Sequence, residues 1–357
     1  MIIHSKFKDY SVNFKKEISF LNEYFEKKET YFVIDRNVYQ LYKNTMFNGL
    51  SEEKYLLLEA EEEKKNIQTV LDICERMTKL SEKRNIHLIS VGGGITQDIT
   101  GLVANILYRG IRWTFVPTTL LAACDSCIGG KTSLNYKHFK NLLGTFYPPD
   151  EILICASILK TLTEKDFQSG LGEVVKFNVM YGDEGIKKLE RDMDNLLKRE
   201  DTTVSNYIHS SLEFKKGYIE EDEFDRGIRI HLNFAHTFGH AIESVTEYEI
   251  PHGTAVAMGT IIANDISFKR GYLTQERKSR MENLLLKIIN IDFDFTKVNV
   301  KQMVVAIRKD KKQTDQSIKA VLFDGNMKLK VYTDIESKEI EDAVQYLIQV
   351  LQKNDRG

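Results

Sequence analysis

Along the first third of the chain, short apolar runs alternate with stretches in which apolar residues recur every three or four positions. TYFVID at 30–35 and WTFVP at 113–117 read as strands, IHLISVGGG at 86–94 as a strand running into glycines, and NIQTVLDICERMTKLSEK at 66–83 as a helix. Such alternation predicts a parallel sheet with crossover helices. The texture changes after the paired prolines of YPPDE at 147–151, which break any regular element. Beyond them helical spacing dominates, in EKDFQSGLGEVVKFNVMY, GIKKLERDMDNLLKRE, VSNYIHSSLEFKKGYIE and HTFGHAIESVTEYE. The pattern therefore predicts an α/β N-terminal domain over residues 1–150 and a mainly α-helical C-terminal domain over residues 151–357, with no internal repeat.

Composition narrows the class. A length of 357 residues suits two domains, each able to bury a core. The formal charge of −2 is spread along the chain, so there is no basic stripe for nucleic acid and no polybasic tail for lipid. MIIHSKFKDY lacks a signal-peptide core, and apolar runs such as AVAMGTIIA at 255–263 are too short to span a bilayer. A cytoplasmic protein with neither nucleic-acid nor membrane partners is expected. The four cysteines are too few for a disulfide scaffold. Cys124 and Cys127 form a CxxC without a second ligand pair, which reads as small buried thiols.

Three segments carry candidate chemistry. SVGGGITQDITG at 90–101 lies where a strand gives way to a helix, and glycines there either form a tight turn or let backbone approach a phosphate. Asp35, ending a strand, is placed either to bond a ribose hydroxyl or to cap a turn. DSCIGGKTSLNYKHFKN at 125–141 resembles a phosphate-binding loop in composition, with Asp125, Lys131, Lys140 and Asn141. It lacks the Walker spacing, which disfavours a P-loop nucleotidase.

In HLNFAHTFGHAIES, His236 and His240 stand four residues apart and so on one helical face, as two donors to one cation would. Thr237 occupies the place of the zincin glutamate, so this is no HExxH protease. Glu173 and His252, both beside glycine in largely apolar surroundings, are the candidates for further ligands, with hydrogen-bonded core groups as the alternative.

Taken together, these segments resemble the 3-dehydroquinate synthase family, the sugar phosphate cyclases. The resemblance rests on GGGITQDITG, RGI at 109–111, VPTTLLAACDSCIGGKTSLN, KNLLGTFYPP, GLGEVVKF, DRGIRIHLNFAHTFGHAIES, PHGTAVAMG and DKK at 310–312, in that order over roughly residues 30–325. It implies an NAD-binding α/β domain and a helical metal domain with the active site between them, usually in a homodimer.

By motif, Glu173, His236 and His252 would bind the metal, zinc or cobalt, with His240 close to substrate and His231 structural. NAD would be held by Asp35, Glu62, Lys65, Gly93, Gly94, Asp98, Thr118, Thr119 and Thr161, with Lys131 and Lys140 nearby. Asp125, Lys131, Asn141, Lys176, Lys215, Arg229, Asn233, His240 and a lysine of Lys311 and Lys312 would line the substrate pocket, and Arg109 would reach the phosphate from the partner subunit.

The implied reaction converts 3-deoxy-D-arabino-heptulosonate 7-phosphate into 3-dehydroquinate and phosphate. It runs by transient oxidation with NAD, elimination, reduction and aldol closure, as in the shikimate route to aromatic amino acids. Related cyclases of the 2-deoxy-scyllo-inosose or 2-epi-5-epi-valiolone synthase type act on sugar phosphates without a carboxylate and typically lose the arginine and asparagine represented here by Arg229 and Asn233. Cys127, Thr254 and Ala156 depart from the family's usual serine, glutamate and aspartate, which keeps those cyclases as the alternative. A metal-dependent alcohol dehydrogenase of the glycerol dehydrogenase type is a more distant one.

Overall fold

A computed structural model of the protein describes residues 1–137, 139–295, 298–309 and 318–354. The chain forms two compact units: Met1–Leu162 with Val204–Phe224, and Thr163–Thr203 with Asp225–Gly357.

The first unit is built on a seven-stranded sheet: β1 (Ile2–Ile3), β2 (Tyr10–Phe14), β3 (Thr30–Asp35), β4 (Tyr55–Leu58), β5 (His87–Gly92), β6 (Arg112–Pro117) and, further on, Glu151–Ile154. All pairings are parallel except that of β1 with β2. Between β6 and the last strand come β7 (Lys131–Tyr136) and β8 (Phe139–Phe146), an antiparallel pair in a separate sheet, so the last strand is β9. The strand order is β1-β2-β9-β6-β5-β3-β4.

Strands of a parallel sheet covered on both faces need no polar alternation, and Tyr31, Phe32, Val33 and Ile34 are all buried in succession. Phe32, Ile34, Ile89, Val91, Val116 and Leu153 share one core. The order places β4 on one side of β3 and β5 on the other, a switch point whose strand ends are where such sheets bind ligands. Helices α1 (Asn22–Phe25), α2 (Arg36–Tyr42), α3 (Ile67–Thr78) and α4 (Gly94–Ile106) connect the strands.

The boundary expected at 150 falls immediately before β9, which pairs with β2 and β6 and so completes the first unit's sheet. A second correction concerns α7 (Asp201–Glu221), the third of the helices α5 (Glu164–Met180), α6 (Asp183–Leu197) and α7. From Val204 onward it belongs to the first unit. There Lys215 pairs with Asp125, and the His209 ring packs 5.5 Å from that of Phe14.

The second unit contains α5, α6, α8 (His236–Val245), α9 (His252–Lys269), α10 (Gln275–Leu286), α11 (Val300–Lys309) and α12 (Ser337–Asn354), with the hairpin β10 (Ile318–Phe323) and β11 (Leu329–Ile335). Thr163 caps α5 through the amide of Asp166. Fifteen of the eighteen residues of α9 are buried, which makes it the central helix of this unit. No helix among the described residues is long and apolar enough to cross a membrane.

Candidate metal and cofactor sites

Glu173 sits in the middle of α5 with no solvent exposure, whereas His236 and His252 are the first residues of α8 and α9. A left-handed backbone at Ala235, φ +68°, turns the chain into α8 and so aims His236. The Nε2 atoms of His236 and His252 lie 3.4 and 3.6 Å from Oε1 of Glu173. One donor atom from each of the three residues falls within 4.8 Å of the others.

The ring tautomers are set from behind. Nδ1 of His236 faces the carbonyl oxygen of Phe234 at 3.1 Å, and Nδ1 of His252 faces Oε2 of Glu243 at 3.1 Å. Each Nδ1–H donates to these acceptors, so that either ring, when neutral, presents its Nε2 lone pair on the side of Glu173. The Glu173 oxygens are fully buried; the ammonium of Lys176 lies 2.5 Å from Oε2 as an ion pair, and Oε1 faces the two imidazoles. A buried carboxylate facing the Nε2 atoms of two imidazoles is the donor set of a divalent metal site with an open position, so the residues fit the expected ion.

Without an ion, the electrostatics differ between the two histidines. Burial pushes the Glu173 carboxyl up, but Lys176 and His252 outweigh it and bring it down to about 2. Burial also drives His236 well below its ordinary range, with Lys176 adding to the effect. His252 would follow, but Glu173 and Glu243 on its two sides push it up to about 10, so without an ion its Nε2 also carries a proton, which a bound metal would displace.

Around this centre, Lys176 also donates to the carbonyl of Leu232, 3.1 Å away, in the short helical turn Ile228–Asn233 that carries Arg229, His231 and Asn233. Arg229 is buried, and Asn233 donates to the carbonyl of Ile230. The ring of His240 lies 5.4 Å from that of His236 and 5.8 Å from that of His252. Lys311 and Lys312 lie outside the described residues.

In the first unit, Gly92 ends β5, Gly93 caps α4 and Gly94 opens it. A Cβ on Gly92 would stand 2.4 Å from Oγ1 of Thr96, and one on Gly93 3.0 Å from Thr119, so the turn admits no side chain at Gly92 and leaves the helix N-terminus bare. Backbone amides at such a helix start are free to approach an anion. Asp35 caps α2, accepting from the amides of Asn37 and Val38. The structure shows the tight-turn reading of the glycines and the capping reading of Asp35.

A polar network gathers several other expected residues. Nζ of Lys65 lies 2.6 Å from both Oδ2 of Asp98 and Oδ1 of Asn141. Ser133 donates its amide and hydroxyl to the two oxygens of Asp98, and its hydroxyl is 3.0 Å from Oδ1 of Asn141. Asn135 bonds Glu62 and takes the amide of Asn141, while Lys140 lies 3.9 Å from Glu62. Burial pushes the Asp98 carboxyl up, opposed by Lys65.

The remaining expected residues are placed more widely. Thr118 and Thr119 follow β6, and Thr161 bonds the hydroxyl of Tyr42. Lys131 is exposed at the start of β7. Lys215 is buried and donates to both the carboxylate and the carbonyl of Asp125. Arg109 is exposed, on a left-handed backbone after α4.

Cys124 and Cys127 are buried in the π-turn Ala122–Ser126 and its end, with their thiols towards carbonyl oxygens; burial pushes Cys127 up to about 12, the behaviour of an inert thiol. Glu243, Ser133 and Asn135 were not among the expected residues. Glu243 has a signal in the sequence: at seven residues from His236 and three from His240, it shares their helical face. Ser133 and Asn135 have none beyond the alternation of a short strand.

Comparison with known proteins gives a consistent picture. Residues 55–169 match the family described as 3-dehydroquinate synthase N-terminal, and residues 170–313 that described as 3-dehydroquinate synthase C-terminal. The 3-dehydroquinate synthase of Dictyoglomus turgidum is 34% identical over 340 residues, covering 94% of this chain and 92% of its own. That of Clostridium tetani is 34% identical over 345 residues, covering 96% and 89%.

Among solved structures, a 2-deoxy-scyllo-inosose synthase complexed with carbaglucose-6-phosphate, NAD+ and Co2+ superposes with a TM-score of 0.85 at 24% identity, covering 97% of this chain and 99% of its own. The 2-epi-5-epi-valiolone synthase of Streptomyces hygroscopicus, with NAD+ and Zn2+ bound, gives 0.83 at 24%, covering 95% and 97%. A glycerol dehydrogenase from Schizosaccharomyces pombe gives 0.66 at 16%, covering 97% and 90%. At these identities the structural likenesses speak for the fold alone.

Proposed function

The chain belongs to the 3-dehydroquinate synthase family, and from that premise we propose that it converts 3-deoxy-D-arabino-heptulosonate 7-phosphate into 3-dehydroquinate and phosphate as an NAD- and metal-dependent carbon–oxygen lyase. The observation that carries the reading is the convergence of Glu173, His236 and His252, with Lys176 ion-paired to the same carboxylate.

When bound, a divalent ion supplies a Lewis acid, and NAD a hydride acceptor that is regenerated within the turnover. Glu173, His236 and His252 would hold the ion, zinc or cobalt. The α4 N-terminus at Gly93 and Gly94 would take the pyrophosphate of NAD, with Asp35 at the ribose. The network of Lys65, Asp98, Ser133 and Asn141 keeps that wall rigid, because each member has a partner within it.

The substrate is anionic at both ends, and the expected pocket residues match it chemically. Arg229 offers a planar fork for the carboxylate, and Lys131, Lys176 and Lys215 offer point charges. Asp125 fixes the ammonium of Lys215 through two oxygens, which leaves the third N–H to direct at the substrate. Asn141 and Asn233 would supply neutral hydrogen bonds, and His240, whose ring adjoins those of His236 and His252, would move a proton.

The chain would work as a cytoplasmic homodimer, with Arg109 acting in the partner's pocket. The exposed Phe139, Leu142 and Leu143 of β8 support an apolar contact, and the four free cysteines suit a reducing compartment.

Phosphate release with NAD and zinc or cobalt tests the proposal. The heptulosonate phosphate should yield phosphate with no accumulated NADH. Release only from a carboxylate-free sugar phosphate would assign the related cyclase activity instead, and net NADH from a simple alcohol would assign a dehydrogenase.

A further inference from the structure

We propose that Glu243 is a positioning residue for the metal centre, acting through His252; the inference rests on the metal-binding reading above. The two histidines are oriented by different means. His236 is held by a backbone carbonyl, that of Phe234, fixed by the chain itself. His252 is held by a side chain, since its Nδ1 lies 3.1 Å from Oε2 of Glu243 while its Nε2 faces Glu173.

A neutral imidazole carries one N–H, and the nitrogen that keeps it cannot bind a metal. A carboxylate at Nδ1 accepts that hydrogen, so Nε2 presents its lone pair, and the negative charge behind the ring makes it a stronger donor. Glu243 lies on α8 seven residues after His236, about two helical turns along one face. One helix therefore supplies a ligand of its own and the group that orients the ligand of α9, which ties the two helix starts to one geometry.

His240, Glu243 and His252 also place donor atoms within 4.8 Å of one another, as a second ion would require. The positioning role is favoured because Glu243 faces Nδ1 of His252, whereas Glu173 is the fully buried carboxylate whose Oε1 faces the Nε2 atoms of both histidines.

Zinc content and affinity, by chelator competition on the full-length protein and its Glu243→Gln and Glu243→Ala variants, test the role. The wild type should bind one zinc per chain. Glu243→Ala should bind it roughly 10–100-fold more weakly, and Glu243→Gln by an intermediate factor, because the amide oxygen still accepts but the charge is gone. The visible absorption of the cobalt-loaded protein should shift in both, a change that loss of packing alone would not produce. Thermal unfolding in excess chelator controls for folding, a cooperative transition in both variants showing that the fold is kept. Equal affinity and an identical cobalt spectrum in both variants would overturn the inference, as would two zinc ions per wild-type chain with one lost in the variants. A wild type that binds no divalent ion would instead overturn the metal reading itself.

Discussion

Gly172 and Gly253 bring the backbones of α5 and α9 into direct contact, each one residue from a metal-site side chain: a Cβ on Gly172 would stand 1.9 Å from the carbonyl oxygen of Gly253. The reverse holds too, since a Cβ on Gly253 would lie 1.7 Å from the carbonyl of Ser169, whose hydroxyl accepts from the Gly253 amide. This close crossing lets Glu173 and His252 meet with no longer side chain between them. Gly253→Ala must push the helices apart. We expect a loss of about 1–3 kcal/mol in unfolding free energy, together with weaker zinc binding, read from denaturation and metal titration of the same sample.

On the cofactor side, the network around Asp98 predicts a different effect. Asp98→Asn keeps one acceptor for Ser133, turns the other oxygen into a donor, and leaves the buried Lys65 without its ion pair. NAD affinity, followed by fluorescence quenching, should fall about tenfold, the scale of one lost charge-assisted hydrogen bond.

Arg229 is the residue that should separate a sugar acid from a plain sugar. Arg229→Lys keeps the charge and loses the bidentate fork. The KM for the heptulosonate phosphate should rise by about tenfold with a smaller change in kcat, as expected for lost ground-state binding. An unchanged KM would remove Arg229 from the carboxylate.

His87 gives the first unit an acid-side weakness. Its Nε2 pairs with the hydroxyl of Thr114 at 2.9 Å, and burial, assisted by Arg112, pushes the ring down to about 4. The unfolded chain then binds a proton that the folded chain refuses between roughly pH 6.5 and 4. Stability should be full above that window, fall as the pH drops through it, and level off below. Allowing for solvent screening, the loss is roughly 1–2 kcal/mol. Urea midpoints at pH 7 and 5 measure it, and His87→Gln should shrink the difference.

The convergence of Glu173, His236 and His252 was legible only through the family resemblance, because the residues alone left His240 as an equal donor, while the glycine turn at Gly92–Gly94 was legible from its place between a strand and a helix. Other features were not, for physical reasons. β9 lies just past Pro149, where a proline pair suggested an end; only its pairing with β2 and β6 assigns EILI to the first sheet. The helix Asp201–Glu221 has an ordinary amphipathic pattern, which states that it packs but not on which core. β7 and β8 mix lysine, serine and asparagine with exposed apolar residues, so their composition suggested a loop. Glu243 reads as an acid on a helix surface until α9 brings His252 against it.

The central claim is that this chain oxidises its substrate only in passing, on a cofactor that never leaves. The most direct measurement uses the heptulosonate phosphate carrying deuterium at the carbon to be oxidised, in the presence of NAD and zinc. Mass spectrometry of the dehydroquinate product should find the deuterium retained at that carbon, with one phosphate released per product and no labelled NADH in solution. Loss of the label to water or to free NADH would contradict the account.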